Sequence, residues 1–241
     1  MNYRILFILL CIPIISQADC EDSHCSRYFG DCRRMWGFGI RLAPAATTGF
    51  YCAKNAESSE THNAHVGGVS FQGGAFLEFA WRADCWSFGF LGDINGDTFD
   101  KTLRLSTDTA GIPNHVAHLK TPIHAGFDVR GGWFVIPNGL WYVLAGVEAV
   151  RNQFSLSNQT DLTNRGIASG CLDNCFTKAG FRVGTGVELQ RWECAVFKFE
   201  YRYVANGECS FNYIDDSTTA TWNHSINTKQ QTFALMFEYV W

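Results

Sequence analysis

The feature that most constrains this chain is a strict two-residue alternation in its last stretch. In TKQQTFALMFEYVW, residues 228–241, Gln231, Phe233, Leu235, Phe237, Tyr239 and Trp241 fall on one side of an extended chain. Thr232, Ala234, Met236, Glu238 and Val240 fall on the other. Strand side chains alternate with period two, so one face is almost wholly apolar and ends in an aromatic pair. Such a face requires either a protein core or lipid against it.

The same two-faced pattern recurs seven times upstream. Residues 35–43 set Trp36, Phe38, Ile40 and Leu42 against Gly37, Gly39 and Arg41. Residues 74–82 set Ala75, Leu77, Phe79 and Trp81 against Glu78 and Arg82, and 85–93 set Trp86, Phe88 and Phe90 against Ser87, Gly89 and Leu91. Residues 121–134 set Phe127, Val129 and Trp133 against His124, Asp128 and Arg130, and 140–150 set Trp141, Val143 and Val147 against Tyr142, Gly146 and Glu148. Residues 177–189 set Phe181, Val183 and Val187 against Arg182, Gly184 and Glu188, and 194–204 set Phe197, Phe199, Tyr201 and Tyr203 against Lys198, Glu200 and Arg202. Between these segments, tight turn signals at Ala83-Asp84, at Pro137-Asn138-Gly139 and at 190–193 alternate with long polar stretches at 44–73, 94–120, 151–176 and 205–228. The spacing predicts eight strands joined by short turns at one end and long loops at the other. This is the layout of an all-β, eight-stranded antiparallel up-and-down transmembrane β-barrel. Beyond the N-terminal stretch, no run of about 18 apolar residues offers a membrane-spanning helix.

A soluble, lipocalin-like barrel would turn the apolar face inward. The polar face argues against it. That face carries six cations, Arg41, Arg82, Arg130, Arg182, Lys198 and Arg202, and six anions, Glu78, Asp128, Glu148, Glu188, Glu200 and Glu238. Gly37, Gly39, Gly89, Gly126, Gly184 and Gly186 sit between them. A water-facing strand has little use for glycine, whereas a narrow lumen needs small residues beside long ones and charges that cancel. An eight-stranded interior is just wide enough for side chains to fill. The charges therefore read as a salt-bridged plug. The competing reading is a polar passage of a porin-like channel.

The signal-like N-terminus, the eight strands, the alternating connections and the closing FALMFEYVW resemble the small OmpA-type outer-membrane barrels over residues 35–241. The resemblance implies that Phe233, Leu235, Phe237, Tyr239 and Trp241 act as the signal by which barrel-assembly machinery recognises such chains. The cysteine count also resembles that of the cysteine-rich, MOMP-like outer-membrane proteins of chlamydia-like bacteria. Those chains are longer and have more strands, so porin activity does not carry over.

Residues 1–18 read as a signal peptide: Arg4 precedes the apolar 5–15, and Ser16-Gln17-Ala18 fits a cleavage site. Residues 19–34 read as a cysteine-bearing periplasmic tail, and 35–241 as the barrel. Export to an oxidising compartment makes disulfides the default. Cleavage after Ala18 leaves nine cysteines, an odd number. Cys20, Cys25, Cys32, Cys85 and Cys194 belong to the periplasmic end, and Cys52, Cys171, Cys175 and Cys209 to the external end. An apolar band of about 25 Å separates the two groups, too far for a bridge. The outer four can pair among themselves. One tail cysteine is left for another envelope protein.

The formal charge of −4 and the lack of a Lys/Arg cluster give no argument for nucleic acid. No nucleophile, metal-protease or phosphate-loop motif is present, and nothing calls for a cofactor. His62 with His65 and His115 with His118 are pairs at i,i+3 that could meet in the external loops around a metal, but loop histidines are usually just solvated. The expected role is that of a structural or surface-interaction barrel in outer-membrane lipid of a Gram-negative-type cell, not an enzyme.

Overall fold

The computed structural model describes residues 34–57, 61–83, 85–105, 115–136, 138–158, 172–192, 194–214 and 221–241. They form nine strands in chain order: β1 (Arg34–Asn55), β2 (Thr61–Ala83), β3 (Trp86–Leu105), β4 (His115–Ile136), β5 (Gly139–Asn158), β6 (Leu172–Trp192), β7 (Ala195–Asn206), β8 (Cys209–Ile214) and β9 (Thr221–Val240). Each strand pairs antiparallel with its neighbour, and β1 pairs with β9 from Gly37↔Val240 to Asn55↔Trp222, which closes the barrel. β7 and β8 lie end to end against β9, Ala195–Ala205 on Tyr239–Lys229 and Cys209–Ile214 on Ile226–Thr221. They are two halves of one stave, interrupted at Gly207-Glu208. The barrel therefore has eight staves, as the sequence pattern predicts. The tail and signal-peptide assignments at 1–33 lie outside the described residues.

The long loops are shorter than expected. Strands β1–β6 and β9 run for 20 to 23 residues. The stretches 44–55, 61–73, 94–105, 115–120, 151–158, 172–176 and 221–228, predicted as loop, are strand. At about 3.4 Å per residue and a tilt of about 40°, a 22-residue strand stands roughly 50–55 Å high. The hydrocarbon-facing band needs only about half of that.

The outer wall shows where that band lies. Its exposed large apolar residues run from Trp36 to Leu42 on β1, Phe71 to Trp81 on β2, Trp86 to Ile94 on β3 and Ile123 to Ile136 on β4. They continue from Val143 to Val147 on β5, Phe181 to Leu189 on β6 and Phe233 to Trp241 on β9. Above it the wall turns mainly polar, with Phe50 and Val69 as exposed apolar exceptions: Thr48 and Lys54, Asn63 and His65, Asp100 and Thr102, His118 and Lys120, Arg151, Thr177, Asn227 and Lys229 are all exposed. The interior inverts in step. Inside the band it is charged, and above the band it is an apolar cluster of Tyr51, Val66, Phe99, Leu103, Leu119, Phe154 and Ile226.

The upper part is also paired differently. The β2–β3 ladder stops at Gln72↔Asp97, and the β6–β7 ladder at Gly180↔Asn206. Beyond those rows the ladders among described residues join β8-β9-β1-β2 and β3-β4-β5-β6. Tyr51 of the first group stacks on Phe154 of the second at 5.7 Å, and Phe211 meets Phe154 at 5.0 Å and Phe176 at 6.1 Å. The membrane barrel thus continues outward as two four-stranded sheets facing each other across an apolar core, the arrangement of a β-sandwich.

Candidate functional site in the barrel lumen

The twelve charged residues singled out from the sequence are all buried in the lumen, none more than 8 % exposed. They form two clusters. The lower one, nearest the short turns, holds Glu78, Arg82, Arg130, Glu188, Lys198 and Glu238. Arg130 donates to Glu78 Oε2 at 2.6 Å and to Glu188 Oε2 at 2.5 Å. Lys198 Nζ lies 2.5 Å from Glu78 Oε2 and 2.7 Å from Glu238 Oε2. Arg82 pairs with Glu188. Met35, Val196 and Val240 close the barrel beneath this cluster.

The upper cluster contains Arg182, which donates to Asp93 (2.8 Å), Asp128 (2.5 Å) and Glu148 (3.3 Å). Arg202 pairs with Asp93 at 2.5 Å and with Glu200. Tyr142 links the clusters: its hydroxyl donates to Glu200 Oε2 at 2.9 Å, and the Arg130 guanidinium lies 4.3 Å from its ring centroid. Arg41 donates to the neutral Thr232 Oγ1 at 2.9 Å and Gln72 Oε1 at 3.4 Å. Glycines make this packing possible. A Cβ at Gly37 would overlap the Glu238 carboxylate, and one at Gly126 would overlap the Arg182 guanidinium. These close approaches, rather than turn conformations, account for glycine in mid-strand.

Several lumenal residues escaped the sequence reading. Asp93 and Asp97 lie on the same parity of β3 as Ser87, Gly89 and Leu91; Asp93 is the last residue of the segment 85–93, and Asp97 lies beyond it. His124 Nδ1 is 2.7 Å from Glu148 Oε1, and its Nε2 is 3.1 Å from Asp97 Oδ2. Two carboxylates on the two ring nitrogens are both satisfied only by the imidazolium. With His124 charged, the buried lumen holds eight cations (Arg41, Arg82, His124, Arg130, Lys178, Arg182, Lys198, Arg202) and eight anions (Glu78, Asp93, Asp97, Asp128, Glu148, Glu188, Glu200, Glu238). Buried charge must be paired, and this interior balances.

Above the charges lies a ring of neutral donors and acceptors. Gln72 and Gln230 both donate to Asp97 Oδ2 at 3.0 Å, and Thr121 donates to Asn152 at 2.9 Å. Then comes the apolar core. Lys178 borders it and donates to the Ile226 carbonyl; burial pulls its ammonium down to about 8, against a smaller opposing pull from Cys209 and Glu208. Burial pushes the Tyr51 phenol up, and its oxygen lies 2.5 Å from His224 Nδ1.

The lumen is filled at every level. Arg182, Asp128 and Lys198 are 0 % exposed, as are Tyr51 and Phe154 above them.

The assembly-signal residues Phe233, Leu235, Phe237, Tyr239 and Trp241 all face outward and are exposed. The cysteines depart from expectation. Cys52, Cys175, Cys194 and Cys209 are free thiols, and no disulfide links described residues. Strand parity explains the external three. Cys209 pairs with inward Ile226, which places it on the lumenal side. Cys52 pairs with Ser225, opposite in parity, and Cys175 is exposed on β6 of the other sheet. These three therefore cannot bridge one another. Cys85 and Cys194 occupy the β2–β3 and β6–β7 turns, four staves apart, so they cannot bridge either. Cys20, Cys25, Cys32 and Cys171 lie outside the described residues. The histidine pairs do not converge: His65 packs edge-on against Phe50 at 5.6 Å on one sheet, and His118 Nδ1 lies 3.1 Å from Thr102 Oγ1 on the other. The side chains of His62 and His115 lie outside the described set. No group of three or more His, Cys, Asp or Glu among described residues has metal-holding geometry.

An all-β, closed, eight-stave barrel with an apolar outer band and a charged lumen defines a transmembrane β-barrel. No protein-family profile and no curated protein matches the chain. Among solved structures it is similar to OprG of Pseudomonas aeruginosa, at 12 % identity and a TM-score of 0.48, over 86 % of this chain and 95 % of that one. It is also similar to Ail, the attachment invasion locus protein of Yersinia pestis, at 12 % identity and a TM-score of 0.41, over 85 % of this chain and 98 % of that one. The toluene transporter TodX of Pseudomonas putida aligns at 8 % identity with a TM-score of 0.31, over 93 % of each chain. The likeness to MOMP-like proteins finds no support in the architecture, which closes with eight staves and without disulfides among its described cysteines.

Proposed function

We propose that this chain is a sealed outer-membrane barrel of a Gram-negative-type envelope, whose task is structural and interactive. The barrel anchors the sandwich, and through it four loops outside. The observation that carries this reading is the burial of both charge clusters: Arg130, Arg182, Lys198 and Arg202 are at most 2 % exposed and are held by carboxylates on other staves. A conducting pore would need a hydrated path past them. Planar-bilayer recording of the refolded protein tests this. The expected record is a flat baseline at moderate voltage. Steady openings of reproducible size overturn the sealed reading and favour a porin-like channel for small solutes.

Two further roles belong to the same reading. The outward Phe233, Leu235, Phe237, Tyr239 and Trp241 serve recognition by the barrel-assembly machinery. Cys194, exposed at a short turn, and a cysteine of the tail are available to neighbouring envelope proteins. With thiols blocked at lysis, a larger species without reductant that collapses on its addition supports such links. A monomer in both lanes removes them.

A further inference from the structure

The outer wall of the sandwich carries more positive than negative charge. Among described strand side chains of outward parity, Lys54, Lys120, Arg151 and Lys229 are exposed there, against one carboxylate, Asp100. The whole chain has a formal charge of −4, so this excess does not follow from composition. Lumenal cations answer lumenal anions one for one; on this wall four cations face one carboxylate.

Two of them stand at the edge of the lipid-facing band. Arg151 on β5 is paired directly with Ile123 on β4, which is 42 % exposed and the last large apolar residue of that strand's band. Lys120 lies just beyond the irregularity between Lys120 and Ile123, opposite Gln153 of β5. Adjacent strands are about 5 Å apart, so one tetrahedral anion can touch both side chains. Arg151 has no carboxylate across either ladder: its neighbours are Ile123 and Thr177. Asp100 stands opposite Lys120 and competes for it, which leaves Arg151 as the main holder. A guanidinium fork suits two phosphate oxygens, and Thr177 and Gln153 add neutral hydrogen-bonding groups beside it. The side chains lie on the wall itself, immediately above Val147 and Ile123. An acyl chain packed on that band brings its own headgroup to them.

We infer that Arg151 and Lys120, flanked by Thr177 and Gln153, form a site for the phosphate of an acylated, phosphorylated glycolipid in the outer leaflet. The inference rests on the outer-membrane reading and on the long-loop end facing outward. Each cation near an anionic lipid surface is worth about a fivefold gain in affinity, so the pair supplies on the order of 25-fold.

The test uses the full refolded chain in mixed micelles and in phosphatidylcholine vesicles. The probes are a bis-phosphorylated lipid A and the same lipid enzymatically dephosphorylated, with retained lipid counted by native mass spectrometry. The expected result is at least tenfold tighter retention of the phosphorylated form. The Arg151→Gln/Lys120→Gln double variant loses most of that preference, and Lys54→Gln, higher on the wall, keeps it. Equal retention of the two lipids, or an unchanged double variant, overturns the site. Equal binding of inorganic phosphate or a sulfated oligosaccharide in lipid-free detergent overturns the lipid assignment. Failure of the wild-type chain to insert into vesicles sinks the membrane reading itself, and is seen separately as full protease access to the band.

Discussion

Lys198→Met should destabilise the barrel almost entirely through one other residue, Glu238. Lys198 Nζ touches three carboxylates: Glu78 at 2.5 Å, Glu238 at 2.7 Å and Glu188 at 3.6 Å. Removing the ammonium leaves Glu78 with Arg130, and Glu188 with Arg82 and Arg130. Glu238 is left 2 % exposed, in the hollow of Gly37, without an ion-pair partner among the described residues. Breaking a buried pair from one side costs about 3–5 kcal/mol, because the remaining charge is uncompensated. Against a typical total of about 5–15 kcal/mol, that is a large fraction. Glu238→Gln alone should cost only about 1 kcal/mol, since Lys198 keeps Glu78 and Glu188. The double variant, which removes both charges, should recover most of the loss and show a coupling of about 2–3 kcal/mol. Urea titrations in lipid vesicles, followed by tryptophan fluorescence and by the folded band on unheated gels, measure all four corners of the cycle. A Lys198→Met cost under about 1 kcal/mol, or a double variant as weak as the single, refutes the reasoning.

The remaining expectations concern other levels of the same column. Gly126→Ala forces the Arg182 guanidinium off its carboxylates and should cost about 1–3 kcal/mol in the same titration, whereas Gly67→Ala, with nothing within 4 Å, should change stability by less than about 0.5 kcal/mol. Phe154→Ala removes the ring that Tyr51 and Phe211 pack against; a loss of about 3–5 kcal/mol should appear first as protease nicks in the sandwich, with the membrane part still protected. Burial lowers Lys178 to about 8, so above that pH the unfolded chain binds a proton that the folded one does not. Stability should therefore rise between about pH 8 and the ordinary lysine range, and Lys178→Met should flatten the rise. In intact cells a membrane-impermeant maleimide should label Cys175 and leave Cys194 untouched; the reverse pattern would invert the orientation.

The membrane half was legible in the sequence because lipid and a packed polar lumen give the two faces of each strand their greatest contrast. Trp36, Phe38 and Ile40 against Gly37, Gly39 and Arg41 allow one assignment. The outer half was read as loop because the contrast reverses without a change of parity. On β1 the inward positions pass from Arg41 through Ala43, Ala45 and Thr47 to Tyr51 and Ala53, while the outward ones pass from Leu42 to Thr48 and Lys54. In between, both faces are small and neutral, and a search for one continuous apolar face loses the strand there. The same reversal on β9 turns outward Phe233 into Lys229 and Asn227, and inward Glu238 into Ile226. Asp97 was missed for the related reason that β3 was ended at 93, and Asp93, at the last position of that segment, was not counted among the charges of its face. The cysteines fail differently. Grouping them by end of the barrel was sound, but pairing depends on parity and stave, and parity at Cys52 and Cys209 could not be assigned while both were placed in loops.

The reversal of polarity and the change in strand pairing share a cause, since both occur at the same rows. In hydrocarbon an unpaired backbone group finds no water, so every ladder must be complete. The β2–β3 ladder ends at Gln72, beside Phe71, beyond which Val69 alone continues the exposed large apolar side chains described on that strand. The β6–β7 ladder ends at Gly180, beside Phe181, which holds the same place on β6. One row higher the edges meet water, and completing the ladder is no longer required. What the chain must then avoid is an empty or wet interior behind a polar wall, and an apolar core between two sheets meets that need. Isolated contacts stitch the parting edges at the transition: Phe71 N–H donates to Thr98 Oγ1 at 2.9 Å, and Gly207 N–H to the Ala179 carbonyl at 3.1 Å. The charged plug is therefore confined to the depth where the wall faces lipid. There, ion pairs between staves are packed among small apolar clusters such as Phe76, Leu91 and Met236, while the sandwich above is held by its apolar core as soluble proteins are.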